Sequence, residues 1–304
     1  MRWATVRLGL IAAALRVCLG ASLPVPATNY HIKLDTFAAP SNPSVGLLIK
    51  ARINDGPSLR LLLDSGSQYI VLDRKAAVQS IGAGGADIDL VGAGASSAAV
   101  GKSVRADTLR VGDLTFRDVP LVIANRRLSD GILGVFPLAL FAEYLIRLDV
   151  SGKALDLSPY PPEPLDPSRA LPVFSNNQLL LVKATANESH EGYFLVDTGA
   201  AYTAISRNLA SHLKISEALA SRLPLAGGIA EMQAPVVTGL VRLQLATAAP
   251  VSGPMVAVDL STFSRYQDLE VSGLIGFSAL HNSILTVSYR NRLLWITPSK
   301  PNCH

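Results

Sequence analysis

A chain of 304 residues, 49% hydrophobic and 16% charged, has enough apolar mass for two packed cores and too little charge for a disordered polymer. Its net charge of +4 sits at the start: removing Arg2, Arg7 and Arg16 takes the 27 Lys and Arg to 24, against 23 Asp and Glu. That near-balance, without basic runs or interleaved aromatics, gives no sign of a nucleic-acid partner.

In chain order, residues 1–21 have a basic start, an apolar stretch from Leu8 to Leu15 and small residues at Gly20 and Ala21, the layout of a secretory signal peptide. Arg16 interrupts the pattern, and a buried N-terminal helix is the alternative. Read as a signal, the segment implies an exported protein, periplasmic or secreted. Its removal takes Cys18 and leaves Cys303 alone, so no internal disulfide is expected. No later apolar stretch is long enough to span a bilayer as a helix. Residues 22–44, with Pro24, Pro26, Pro40 and Pro43, read as an N-terminal extension without a counterpart further on: a spacer, an added strand or a removable pro-segment.

From residue 45 the chain is written twice. Sliding it by 133 residues, the separation of Asp64 and Asp197, sets "LIKARINDGPSLRLLLDSG" over "LVKATANESHEGYFLVDTG" without a gap. Leu48, Lys50, Ala51, Asn54, Asp64 and Gly66 meet identical residues at 181, 183, 184, 187, 197 and 199. Each copy predicts a β-hairpin ending in Asp-Ser/Thr-Gly. Further on, Ile132-Leu133-Gly134 matches Leu274-Ile275-Gly276, and each element is followed by one or two helical turns and a closing hairpin. Helical spacing otherwise shows only in short stretches, as in "RNLASHLKISEALASRL" from Arg207. Six prolines between 159 and 172 mark a linker, with one lobe at 45–158, a second at 173–298 and a tail at 299–304.

One Asp-Ser/Thr-Gly arises by chance in about one chain in ten of this length and reads as a turn. Two at equivalent positions, each closing an apolar strand, point to a pair of carboxyls kept for chemistry. Other motifs fall short. "GASSAAVGKS" lacks the first Gly of a phosphate-binding loop, no Gly-x-Ser-x-Gly elbow occurs, and the five histidines lack metal-ligand spacing.

On Asp64-Ser65-Gly66, Asp197-Thr198-Gly199 and the two apolar-apolar-Gly elements, the sequence resembles the aspartic peptidases, most closely their bacterial retropepsin-like branch. The resemblance covers nearly everything from Gly46 to Pro298 except the linker. It implies a mainly β fold of two tandem closed barrels about a pseudo-twofold axis, each giving one aspartate. It implies Asp64 and Asp197 as catalytic residues sharing one proton, supported by Ser65, Gly66, Thr198 and Gly199, with the Ser65 and Thr198 hydroxyls bonding across the lobes. The partner is then a peptide or protein substrate, with no metal or cofactor, and a monomer suffices because both lobes lie in one chain. The Gly-rich stretches holding Gly84, Gly85, Gly227 and Gly228 form either flaps over substrate or surface loops. Ser65 stands where Thr is commoner, and Ser288 replaces the Asp149 of the first closing hairpin. The rival is a peptide-binding or scaffold protein that keeps the fold without turnover.

Overall fold

The computed structural model describes residues 28–39, 42–82, 84–92, 99–125, 132–161, 163–174, 177–215, 217–226, 231–237, 240–246, 248–253 and 255–299. The signal-like segment 1–21, the tail beyond Ser299, and Gly227 and Gly228 lie outside them.

The chain is mainly β, 52% strand and 13% helix. In the first half, β1 (Tyr30–Lys33) and β2 (Asp35–Ala39) lead into the hairpin β3 (Asn42–Ile53) and β4 (Ser58–Asp64). Then come β5 (Ile70–Leu72), helix α1 (Arg74–Ser80), a second hairpin of β6 (Ala86–Leu90) and β7 (Ala99–Val111), β8 (Leu114–Ala124) and β9 (Gly134–Pro137). A 3-10 helix at Leu138–Phe141 precedes the closing hairpin β10 (Leu145–Asp149) and β11 (Ala154–Ser158).

The second half repeats the order: β12 (Leu171–Phe174), the hairpin β13 (Leu181–Ala186) and β14 (His190–Val196), β15 (Ala204–Ser206) and α2 (Arg207–His212). The hairpin β16 (Glu217–Ala226) and β17 (Glu231–Val237) is followed by β18 (Val241–Leu245), β19 (Val251–Gly253) and β20 (Val256–Val258). Helix α3 (Ser261–Gln267), β21 (Val271–Ile275), α4 (Phe277–Leu280) and the hairpin β22 (Ser283–Ser288) and β23 (Leu293–Pro298) complete it.

In the first half β3, β4, β9, β5, β8 and β7 close into a six-stranded barrel, sealed where Arg52 and Ile53 of β3 pair with Arg110 and Leu109 of β7. The second lobe follows the same path in broken form: the place of β7 is shared by β17 and β18 and that of β8 by β19 and β20, with Gly253 at φ +139 ending β19. The repeated asparagines explain themselves here. Asn54 and Asn187 both turn at positive φ, and their side-chain oxygens accept the Thr108 and Arg242 N–H groups, tying each hairpin tip to the strand that closes its ring.

The lobes meet in a shared antiparallel sheet, β1-β11-β10-β22-β23-β12, with β10 beside β22 at its centre. Its outer pairings reveal what the gap-free slide missed. Ile32 pairs with Leu155 as Leu171 pairs with Leu294, so the entry strands of residues 30–39 are the counterpart of β12. The first lobe therefore begins at Tyr30, inside the stretch 22–44 read as an unmatched extension, and Leu171 and Pro172 belong to the second lobe rather than to the linker. A pro-segment cut at residue 44 would strip β1 and β2 from their sheets. The connections from entry strand to hairpin differ in length, which is why one fixed displacement could not align both.

Tertiary pairing also overrides local helical spacing. The expected helical stretch from Arg207 stops at His212, Lys214 turns at φ +54, and residues from Glu217 pair with β17 as a strand. Where both faces of a strand are covered, alternation gives way to runs of apolar residues. Leu61 and Leu63 of β4 and Phe194 and Val196 of β14 enter one core that spans both lobes and the shared sheet. Between them, Leu62 and Leu195 point the other way into smaller clusters, one in each lobe.

Candidate active site

Each aspartate stands at the end of a buried central strand. β4 pairs in parallel with β9, and β14 with β21, so a short strand braces each strand end from the side. The chain turns sharply after each acid. Gly66 N–H donates back to Asp64 Oδ1 at 2.7 Å, and Gly199 and Ala200 N–H both donate to Asp197 Oδ1 at 2.9 Å.

The residues between acid and glycine join the lobes. Thr198 Oγ1 accepts the Ser65 N–H at 3.0 Å and donates to Leu63 O at 2.9 Å. Reciprocally, Ser65 Oγ accepts the Thr198 N–H at 3.1 Å and donates to Val196 O at 2.7 Å. Both side chains are 1% exposed, so these four bonds are made without competing water.

The glycines are required by close approach. A Cβ on Gly66 would lie 2.7 Å from Asp197 Oδ2, and one on Gly199 would lie 2.6 Å from Asp64 Oδ2. Each glycine thus makes room for the other lobe's carboxyl, and the two acids come into hydrogen-bonding contact. Gly199→Ala is expected to push the carboxyls apart and lower kcat/KM by about 100-fold or more, the usual scale for misplacing reacting groups by an ångström. Steady-state kinetics beside a circular dichroism check of folding would test it.

Burial pushes the Asp64 carboxyl well up from its ordinary range, and the neighbouring Asp197 charge and hydrogen bond push it further. Asp197 is also raised, again by burial, but the hydrogen bond from Asp64 and the Ala200 and Gly199 N–H groups pull it back. Between the ordinary carboxylate range and these raised values the folded chain holds more protons than the unfolded one, so stability falls as pH rises through that window. Each unit of difference is worth about 1.4 kcal/mol. Asp64→Asn removes this penalty, so in urea at pH 7 it is expected to be more stable than the parent, with the advantage gone near pH 3.

The second signature needs a new register. Gly134 of β9 lies against Leu72, as Gly273 of β21 lies against Ile205, and a Cβ on either would strike the carbonyl of Val71 or Ala204 at equivalent places. Gly134 is therefore the partner of Gly273, not of Gly276, and Ile132-Leu133-Gly134 falls three residues out of step with Leu274-Ile275-Gly276. Pro137 occupies the place of Gly276. In the second lobe that place is tightly knit: Gly276 N–H donates to Thr203 Oγ1 at 3.3 Å, Phe277 N–H to Ala200 O at 2.7 Å and Ser278 N–H to Ala201 O at 3.1 Å.

Of the proposed flap residues, Gly84 and Gly85 lie at the foot of the β6–β7 hairpin rather than at its tip. Gly85 has φ +141 and lets β6 approach Ser103 O of β7 closely. At the far end of β6, Val91 packs on the second lobe's smaller cluster, so this hairpin reaches across to the other half. Gly227 and Gly228 fall between β16 and β17, which form the matching hairpin.

The sequence reading missed three contributors. Gln68 Nε2 donates to Gln267 Oε1 across the lobes at 3.4 Å, Thr203 meets Ser278 beneath the second loop, and the buried Tyr289 hydroxyl lies within the field of Asp64. None belongs to a repeated motif, so only the fold brings them to the site. Among the described residues no cluster of His, Cys, Asp and Glu could hold a metal ion.

A closed six-stranded barrel and its broken counterpart, joined by a shared sheet and each delivering one Asp-Ser/Thr-Gly turn to a common centre, define a two-lobed aspartic proteinase fold. An aspartic proteinase from Irpex lacteus has this fold, with a TM-score of 0.54 at 14% identity over 90% of this chain and 98% of that one. The aspartyl protease family model matches residues 49–135 and 182–279, more than half of the chain, which therefore belongs to that family. No curated protein matches the sequence.

Proposed function

We propose that the protein is an aspartic endopeptidase in which Asp64 and Asp197 activate water against a peptide bond. The observation that carries this reading is the closed cross-lobe set of Ser65 and Thr198 hydrogen bonds, which holds the half-buried Asp64 and the buried Asp197 side by side. Two such groups cannot both ionise easily, so the pair keeps one proton and offers a base and an acid at one place. The base takes a proton from water as oxygen attacks the carbonyl carbon, and the acid protonates the carbonyl oxygen. The tetrahedral adduct collapses with the proton delivered to the leaving nitrogen.

The substrate lies extended between the β6–β7 and β16–β17 hairpins, where a strand-lined cleft recognises it as an added strand. Tyr69, Tyr202, Ala200 and Ala201 pack around the two loops on the smaller clusters and favour apolar segments. The protein acts as an exported monomer, periplasmic or secreted.

Cleavage of a mixed peptide library between pH 3 and 8, with Asp64→Asn and Asp197→Asn alongside, tests the reading. Products made by the parent and by neither variant support it. A folded parent that cuts nothing at any pH would instead be a peptide-binding module. Cut sites flanked on both sides by strongly charged residues would overturn the apolar preference.

A further inference from the structure

We propose that the outer face of the first lobe's barrel is a docking surface for an anionic phospholipid membrane, held by Lys50, Arg52, Arg60, Arg110 and Arg117.

Register places the five cations on one face. In the antiparallel ladders Lys50 of β3 stands directly opposite Arg60 of β4, and Arg52 of β3 directly opposite Arg110 of β7. Arg117 of β8 faces Thr108, two residues from Arg110 on the same side of β7. The alternate residues of these strands, Ala51, Ile53, Leu59, Leu109, Val111 and Phe116, enter the core, so the cations point outward, and all five are exposed.

Like charges set directly opposite each other cost stability, and two such pairs stand side by side here. One acid answers them: Asp35 Oδ2 lies 3.4 Å from Lys50 Nζ and 3.6 Å from Arg60 Nε. Asp55 and Asp113 sit in the β3–β4 and β7–β8 turns, but among the described residues no acid pairs with Arg52, Arg110 or Arg117.

The second lobe shows that the fold does not require these charges. At the equivalent ladder positions it has Thr185 opposite Gln244 in place of Arg52 and Arg110, Tyr193 in place of Arg60 and Ser252 in place of Arg117. Its Lys183, the counterpart of Lys50, is answered by Glu191 at 2.5 Å. Where Asp35 meets Arg60, the second lobe has the rings of Phe174 and Tyr193, with centroids 5.5 Å apart. The reverse exchange occurs once, Arg242 standing in the place of Thr108.

The layout selects the partner. Cations about 7 Å apart along a strand and about 5 Å apart between strands spread in two dimensions over four neighbouring strands. Such an array matches a plane of headgroups, whereas a linear polyanion calls for a single row. The exposed large apolar side chains of the described residues, Val78, Val100, Phe174, Leu240 and Tyr266, do not stand among the five cations. The face therefore lacks both the apolar centre of a protein interface and the aromatic platforms of a nucleic-acid one. Guanidinium groups take phosphate oxygens two at a time. Each cation brought to an anionic leaflet strengthens binding by about fivefold.

The test is co-sedimentation of the full chain with vesicles of equal parts phosphatidylglycerol and phosphatidylcholine, and with phosphatidylcholine alone, in about 0.1 M salt. Arg52→Thr, Arg110→Gln and Arg117→Ser together install the residues of the second lobe, and with the Arg52–Arg110 repulsion gone the urea midpoint should not fall. The parent is expected to bind the anionic vesicles and not the neutral ones, and the triple variant to bind about 100-fold more weakly. Lys214→Asn, Arg242→Ser and Arg292→Asn together take the same charge from exposed places elsewhere, with Asn suited to the positive φ at 214 and 292. That control should stay within about threefold of the parent. A parent that binds neither vesicle, a triple variant that binds like the parent, or an equal loss in the control would each overturn the proposal. Retention on polyglutamate without vesicle binding would overturn it in favour of an acidic protein partner. No readout needs peptide cleavage, so the outcome is independent of the peptidase reading.

Discussion

Asp64→Asn and Asp197→Asn are each expected to lower kcat/KM on a cleaved library peptide by about 10³- to 10⁴-fold, the upper part of the range of about 10² to 10⁴ that general acid–base catalysis supplies. That loss corresponds to about 4 to 5.5 kcal/mol of transition-state stabilisation. An asparagine at either position keeps the shape and still accepts the glycine N–H, so the turn survives while the shuttle for the proton is lost. The double variant should be no worse than about threefold below either single one, because acid and base act as a unit and removing one already disables the other. A single variant within tenfold of the parent would mean that one carboxyl carries the chemistry alone, contrary to the contact geometry. The measurement needs the parent and three variants under one buffer series, with unfolding midpoints to show that each is folded.

Much of this site was legible before the fold. The repeated Asp-Ser/Thr-Gly at the end of an apolar strand is a local pattern, and so are the hairpins and their Asn turns, because the residues that build them are contiguous. What the sequence hid depends on register between distant segments. The match of β1 and β2 to β12 needs the pairings of Ile32 with Leu155 and of Leu171 with Leu294. The correct place of Gly134 is likewise set by the strand it crosses and not by the apolar pair before it. Residues 217–226 carry helical spacing and form a strand because β17 offers them a ladder. The Gln68 to Gln267 contact joins two polar side chains with no repeat between them, and no periodicity could have announced it.

Thr198→Val is expected to be the most damaging change that leaves both carboxyls in place. Valine preserves the volume but removes a hydroxyl that serves two buried groups at once, the Ser65 N–H and the Leu63 carbonyl. Each polar group left unpaired in the interior costs about 1 to 3 kcal/mol, so the loss should total about 2 to 6 kcal/mol. Domains commonly have only about 5 to 15 kcal/mol of stability to lose. Because one core runs through both lobes and the shared sheet, the loss should appear as a single urea transition moved to lower concentration, and not as separate melting of one lobe. Thr198→Ser keeps the hydroxyl and should recover most of the stability. Ser65→Ala removes the reciprocal hydroxyl, and the two changes together should cost less than their sum, since each already loosens the contact the other serves. Activity should fall with Thr198→Val even where the protein stays folded, because the hydroxyl holds Asp64's loop to Asp197's. A Thr198→Val protein with parental stability and parental kcat would show that the lobes are registered by the shared β10–β22 sheet alone.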